Sequence, residues 1–156
     1  MTGTAALALH AAMKLLFING PNANLYGLDA SGTYGHEGFG DIERRCHAKA
    51  SALGAELDFR QSQDEGEIIG WIHRARGDVN GLIINAAGLS YTSIAVMDAL
   101  LTFDGPVIEV HMSNIHRREP FRNRTYTSRA AVGSICGLGP IGYEIAIQAI
   151  VPLCRT

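Results

Sequence analysis

Two stretches of the chain are apolar at consecutive positions, Leu15-Leu16-Phe17-Ile18 and Gly81-Leu82-Ile83-Ile84. A strand covered on both faces, as in a parallel sheet, carries this pattern. Each run stops at turn-forming residues, Asn19-Gly20-Pro21-Asn22 and Asn85-Ala86-Ala87-Gly88. Val107–Val110 reads as another such strand, and a polar loop rich in Arg and His follows it from His111 to Arg124. Ala55–Gln61 instead alternates Leu57 and Phe59 with polar residues, which predicts a less buried strand. Ala130–Leu138 reads as the last strand.

The intervening segments change period. Phe39, Ile42, Cys46, Ala50 and Leu53 recur at helical spacing and predict a helix over Glu37–Leu53, closed by Gly54. Glu65–Arg76 is a second helix, with Ser62 or Asp64 as its cap. Thr92 or Ser93 opens a third through Leu101, and Gly139-Pro140 starts a fourth, Ile141–Val151. This alternation predicts an α/β fold, an open, parallel five-stranded sheet with helices on both faces. A flavodoxin-like strand order, 2-1-3-4-5, is expected, with a ligand site beyond the C-terminal strand ends.

Polar side chains gather at those ends. The first strand delivers Asn19 and Asn22, the third Asn85, and the fourth Glu109 and His111. Glu109 and His111 are two apart, so on a strand they share a face. A carboxylate beside a histidine fixes its tautomer and favours the imidazolium, as a general acid requires. Ser113, Arg117, Arg118 and Arg122 add a hydroxyl and positive charge, which suits a small, anionic, oxygen-rich substrate. A glycine-rich stretch, Gly27–Gly35, reads as a flap carrying Tyr34. The only lysines, Lys14 and Lys49, lie away from these residues, so carbonyl chemistry would run through an enolate, with Tyr34 as the available base.

Composition narrows the classes. The 156 residues, 47% hydrophobic and 18% charged, suit one globular domain. A net charge of −2 gives no reason to expect nucleic acid or an anionic membrane as partner. No apolar run reaches membrane-spanning length. The three cysteines, Cys46, Cys136 and Cys154, have no zinc spacing and point to a reducing, cytoplasmic setting. Dinucleotide and P-loop fingerprints are absent, and no metal is expected, since His111 and His116 lack a third ligand in a usual pattern. Residues 1–12 read as an N-terminal extension before a domain spanning 13–156, with Met13 an alternative start.

Taken together, Ile18-Asn19-Gly20-Pro21-Asn22, Tyr34-Gly35, Asn85-Ala86-Ala87-Gly88, Ile108-Glu109-Val110-His111-Met112-Ser113-Asn114 and Phe121-Arg122 resemble type II 3-dehydroquinate dehydratase. The resemblance covers roughly Lys14 to Val151, in order. It implies a flavodoxin-like fold, no cofactor, a homododecamer built of trimers, and loss of water from 3-dehydroquinate through an enolate. It implies Tyr34 as the base at C2 and His111, supported by Glu109, as the acid at the C1 hydroxyl. Asn22 would orient a water at the enolate, and Arg118 would help Tyr34 ionise. Asn85 and the backbone of Met112 and Ser113 would hold the carboxylate and ring hydroxyls, Arg122 a ring hydroxyl. Asp98 would reach a neighbouring subunit's site.

The sequence departs from that pattern twice. Asp29 stands where the family's flap carries an arginine. Tyr91 stands where the family has a histidine on substrate hydroxyls, and it can donate one hydrogen bond there. Three functions therefore stay open at this point: the dehydratase, a related enzyme for another hydroxylated keto acid, and a binding protein that has lost catalysis. A flavodoxin-type electron carrier is disfavoured, because the first loop lacks a phosphate cradle.

Overall fold

The computed structural model describes residues 11–156, so the expected extension, residues 1–12, lies almost wholly outside it. Five strands form one parallel sheet in the order β2-β1-β3-β4-β5. They are β1 (Met13–Asn19), β2 (Ala55–Gln61), β3 (Gly81–Asn85), β4 (Val107–His111) and β5 (Gly133–Cys136). The helices are α1 (Phe39–Ala52), α2 (Glu65–Ala75), α3 (Ile94–Leu101) and α4 (Pro140–Leu153). The expected fold and strand order are both present.

Side-chain alternation along the strands divides the core in two. Leu15 and Phe17 of β1, Ile83 of β3 and Ile108 and Val110 of β4 face α1 and α4, which contribute Ile42, Cys46, Tyr143, Ile147 and Ile150. Leu16, Ile18, Leu82, Ile84 and Val107 face the other way, against Ile68, Trp71 and Ile72 of α2 and Val96 and Leu100 of α3. Both faces of the central strands are thus dry, which is why their sequences are unbroken apolar runs. Asp64 caps α2 by accepting from the Glu67 N–H at 2.7 Å, and Ser93 caps α3 by accepting from the Val96 N–H at 2.9 Å.

Two boundaries differ from the sequence pattern. The last strand was expected over Ala130–Leu138, but only Gly133–Cys136 is extended. Backbone N–H groups of Ala130 and Ala131 turn back to the Thr127 and Ser128 carbonyls (3.1 and 3.3 Å), so the residues before Val132 are committed to a tight turn. The polar loop after β4 is also ordered into short 3-10 turns at Ile115–Arg117, Pro120–Asn123 and Thr127–Arg129. These fold Arg118, Arg122 and Thr127 back over the strand ends.

Candidate active site

Parallel register sets the floor of the site. Asn19 pairs with Asn85, and Ile84 with Glu109, so β1, β3 and β4 finish side by side. The Gly20 N–H donates to the Asn85 carbonyl at 2.7 Å. A Cβ at Gly20 would lie 2.4 Å from the Ala86 carbonyl oxygen, so only glycine permits this approach of the two loops. Asn22 then takes a left-handed backbone, φ 70°, which asparagine tolerates better than most residues.

These ends enclose a cavity of about 170 Å³. Its walls include Asn22, Tyr34 and Asn85 from the β1 and β3 loops, and Tyr91 from the turn after β3. His111, Met112 and Ser113 close it from β4, with Arg118 and Arg122 from the polar loop. Two expected residues stand elsewhere. Glu109 lies behind His111, and Asp98 is exposed on α3, away from the cavity.

Glu109 and His111 are both buried. His111 Nε2 lies 3.0 Å from Glu109 Oε1, with the ring tilted off the line of a good hydrogen bond. The Thr127 hydroxyl donates to Oε1 and the Ser134 hydroxyl to Oε2, the latter at 2.8 Å. Burial pushes the Glu109 carboxyl up, but the proximity and charge of His111, with the two hydroxyls, outweigh it and bring its pKa to about 2. Glu109 is therefore a fixed anion next to the imidazole. Thr127 and Ser134 were not picked out from the sequence. Ser134 faces Glu109 across the β4–β5 ladder, so correct register for the last strand is the signal that finds it. Thr127 has no such signal, because a tight turn brings it there.

Tyr34 faces this pair from the flap. Arg118 Nη1 donates to the Tyr34 hydroxyl at 3.2 Å and to Ser113 Oγ at 3.1 Å, and its guanidinium sits 5.5 Å from the Tyr34 ring centre. The Tyr34 ring packs on Tyr26, centroids 5.2 Å apart. Tyr91 lies roughly parallel to His111 at 6.2 Å, with the Arg122 guanidinium 5.1 Å from its ring centre. Asn85 Nδ2 donates to the hydroxyls of Tyr26 (2.7 Å) and Tyr143 (2.6 Å), two tyrosines the sequence pattern did not single out.

Asp29 does not line this cavity. Its carboxylate accepts from the Ser31 hydroxyl and from the Ser31 N–H (2.9 Å), closing a turn within the flap, and these bonds lower its pKa. It borders an adjoining pocket with Leu25, Leu28 and the outer side of Tyr26 and Tyr34. Among the described residues, no three His, Cys, Asp or Glu side chains come together as metal ligands would, and no helix is long and apolar enough to cross a membrane.

The arrangement sets a phenol with a cation on its oxygen in the same cavity as an imidazole with a buried anion beside it. Amides and guanidinium groups between them suit a small oxygen-rich anion. The family profile "Dehydroquinase class II" matches residues 13–151. The "3-dehydroquinate dehydratase 2" of Pseudomonas putida is 48% identical over 141 residues, covering 90% of this chain and 95% of that protein. The "3-dehydroquinate dehydratase" of Photobacterium profundum is 51% identical over 138 residues, covering 88% and 92%. The crystal structure of the type II dehydroquinase from Propionibacterium acnes superposes with a TM-score of 0.86 at 37% identity, covering 92% of this chain and 99% of that one. The chain belongs to the class II dehydroquinase family.

Proposed function

We propose that the protein is a type II 3-dehydroquinate dehydratase, a hydro-lyase that converts 3-dehydroquinate to 3-dehydroshikimate. The observation that carries the reading is the meeting of two groups in one cavity: Tyr34, whose oxygen accepts from Arg118, and His111 beside the ionised Glu109. Tyr34 takes the C2 proton, and the electron pair moves onto the C3 carbonyl oxygen as an enolate. The enolate then collapses: the C1–C2 double bond forms and the C1 hydroxyl departs with the proton of His111. Water and an enone are the products.

The other site residues hold the substrate. Asn22 orients a water at the enolate oxygen, the Met112 and Ser113 N–H groups hold the carboxylate end, and Tyr91 and Arg122 meet ring hydroxyls; Asn85, expected on the carboxylate, instead spends its amide hydrogens on Tyr26 and Tyr143. Arg118, and not Asp29, acts on the base directly. A unit charge about 5 Å away at an effective dielectric near 20 is worth roughly 3 kcal/mol. Here the guanidinium of Arg118 contacts the Tyr34 oxygen directly, while the Asp29 carboxylate is engaged by Ser31.

The working form is proposed to be a homododecamer of trimers in the cytoplasm, with Asp98 completing a neighbour's site. Phe121, Val132, Leu138 and Ile141 are exposed large apolar side chains, and an open cavity of about 440 Å³ adjoins Glu109 and His111 beside β5. Both features suit subunit contacts. Light scattering on the purified protein is expected to give the mass of twelve chains. The function itself is tested by incubating the protein with 3-dehydroquinate and following the rise of enone absorbance. Turnover at one per second or faster is on the scale of ordinary enzymes and is expected; no turnover above the uncatalysed rate overturns the reading.

A further inference from the structure

A second tyrosine stands at the wall of the same cavity. Tyr26 is 7% exposed, lines the cavity, and packs its ring on that of Tyr34. Its hydroxyl accepts from Asn85, and the hydrogen bonds behind Asn85 decide what the hydroxyl does with its own proton. Asn85 Oδ1 accepts from the Ala87 N–H at 3.2 Å, so the amide cannot be turned over without setting two donors against each other. Both Nδ2 hydrogens are then committed, to Tyr26 and to Tyr143. The Tyr143 hydroxyl gives its proton to Asn19 Oδ1 at 2.7 Å, and Asn19 Nδ2 donates to the Arg60 carbonyl at 3.1 Å. From Arg60 to Asn85, the side-chain donor atoms of Asn19, Tyr143 and Asn85 each have a partner within the protein. Among the described residues no hydrogen bond takes the Tyr26 proton. Burial raises the Tyr26 pKa to about 12 against the opposing influence of the Asn85 amide and the neighbouring Tyr143 hydroxyl, so the hydroxyl stays protonated at neutral pH.

We propose that Tyr26 is a substrate-binding, specificity-determining residue whose hydroxyl donates a hydrogen bond to an oxygen of the hydroxylated keto acid, with Asn85 acting as the group that aims it. Asn85 lies in the wall, but its donors point to the two tyrosines; Tyr26 is where that network meets the ligand. A site built to give a hydrogen bond rejects ligands that offer no acceptor there. The inference rests on the dehydratase reading and deepens it.

Tyr26→Phe separates this role from packing, because the ring that supports Tyr34 remains. With 3-dehydroquinate, KM is expected to rise about tenfold, the worth of one hydrogen bond, with kcat within about threefold of wild type. An unchanged KM overturns the proposal, and so does a fall in kcat alone, which would mean that Tyr26 acts only through Tyr34. Calorimetric titration of 3-dehydroquinate into both proteins keeps the two readings distinguishable. A wild type that binds without turnover removes the dehydratase assignment, whereas equal affinity of wild type and variant removes the role of Tyr26. Should the variant not fold, a structure of the wild type with bound 3-dehydroshikimate decides. A ligand oxygen within about 3 Å of the Tyr26 hydroxyl supports the proposal, and none within about 3.5 Å overturns it.

Discussion

The two walls of the cavity are held in opposite ways. The His111 wall is an end of the sheet: β4 is buried along its whole length, and Glu109 is fixed by hydroxyls from two further segments. The Tyr34 wall is a loop that mostly bonds to itself. Asp29 closes on Ser31, Ser31 on Thr33, Gly32 on the Asp29 carbonyl and Gly35 on the Gly32 carbonyl. Its contacts with the site run through the Tyr26 ring and the Arg118 guanidinium. The acid is therefore placed by the fold, and the base is placed by two side chains. Changes at the first wall should disturb stability and chemistry together, and changes at the second chemistry alone.

The largest expected effects come from the reacting groups. His111→Asn and Tyr34→Phe should each lower kcat by about 10² to 10⁴, the usual worth of a positioned acid or base. The comparison is sharpened by melting temperature, which should move with His111→Asn and stay level with Tyr34→Phe. Arg118→Ala comes next. It removes the cation on the Tyr34 oxygen, worth roughly 3 kcal/mol even at about 5 Å and an effective dielectric near 20, so kcat/KM should fall at least about 100-fold, with partial recovery in Arg118→Lys.

Glu109→Gln tests the first wall by pH. The Glu109 carboxyl titrates at about 2 in the fold against an ordinary 4.5. Its contribution to stability is complete above pH 4.5 and fades as the pH falls toward 2. Thermal unfolding between pH 6 and 3 should therefore slope less steeply for Glu109→Gln than for wild type, and equal slopes would contradict the proposed fixed anion. Asp29→Asn should have the smallest effect, less than about threefold in kcat/KM, because the carboxylate is spent inside the flap and asparagine keeps the acceptor that closes the turn. A gain of tenfold or more would mean that Asp29 reaches the base after all.

What could be read from the chain follows the same division. β1 and β3 are unbroken apolar runs with abrupt polar ends, so the strands, their order and the arrival of Asn19, Asn85 and His111 at one edge were all legible. Tyr34 was legible only through its flanking motif, since glycine-rich stretches carry no periodicity to place a side chain. The remaining site residues depend on tertiary geometry. Thr127 reaches Glu109 because the segment before β5 turns instead of extending, and a run such as Ala130-Ala131-Val132 carries the apolar pattern of a strand. Tyr26 and Tyr143 look like ordinary core aromatics until their hydroxyls are seen to share one amide. The direction of Asp29 was equally hidden: an Asx turn onto Ser31 is a local choice that competes with reaching the cavity.

The claim that a phenol and an imidazole divide the work is tested most directly by hydrogen exchange in heavy water. His111→Asn keeps the base but lacks the acid, so 3-dehydroquinate should take up deuterium at C2, seen by NMR, with little dehydration. Tyr34→Phe should do neither. Deuterium uptake by Tyr34→Phe, or none by His111→Asn, would contradict the assignment of the two walls.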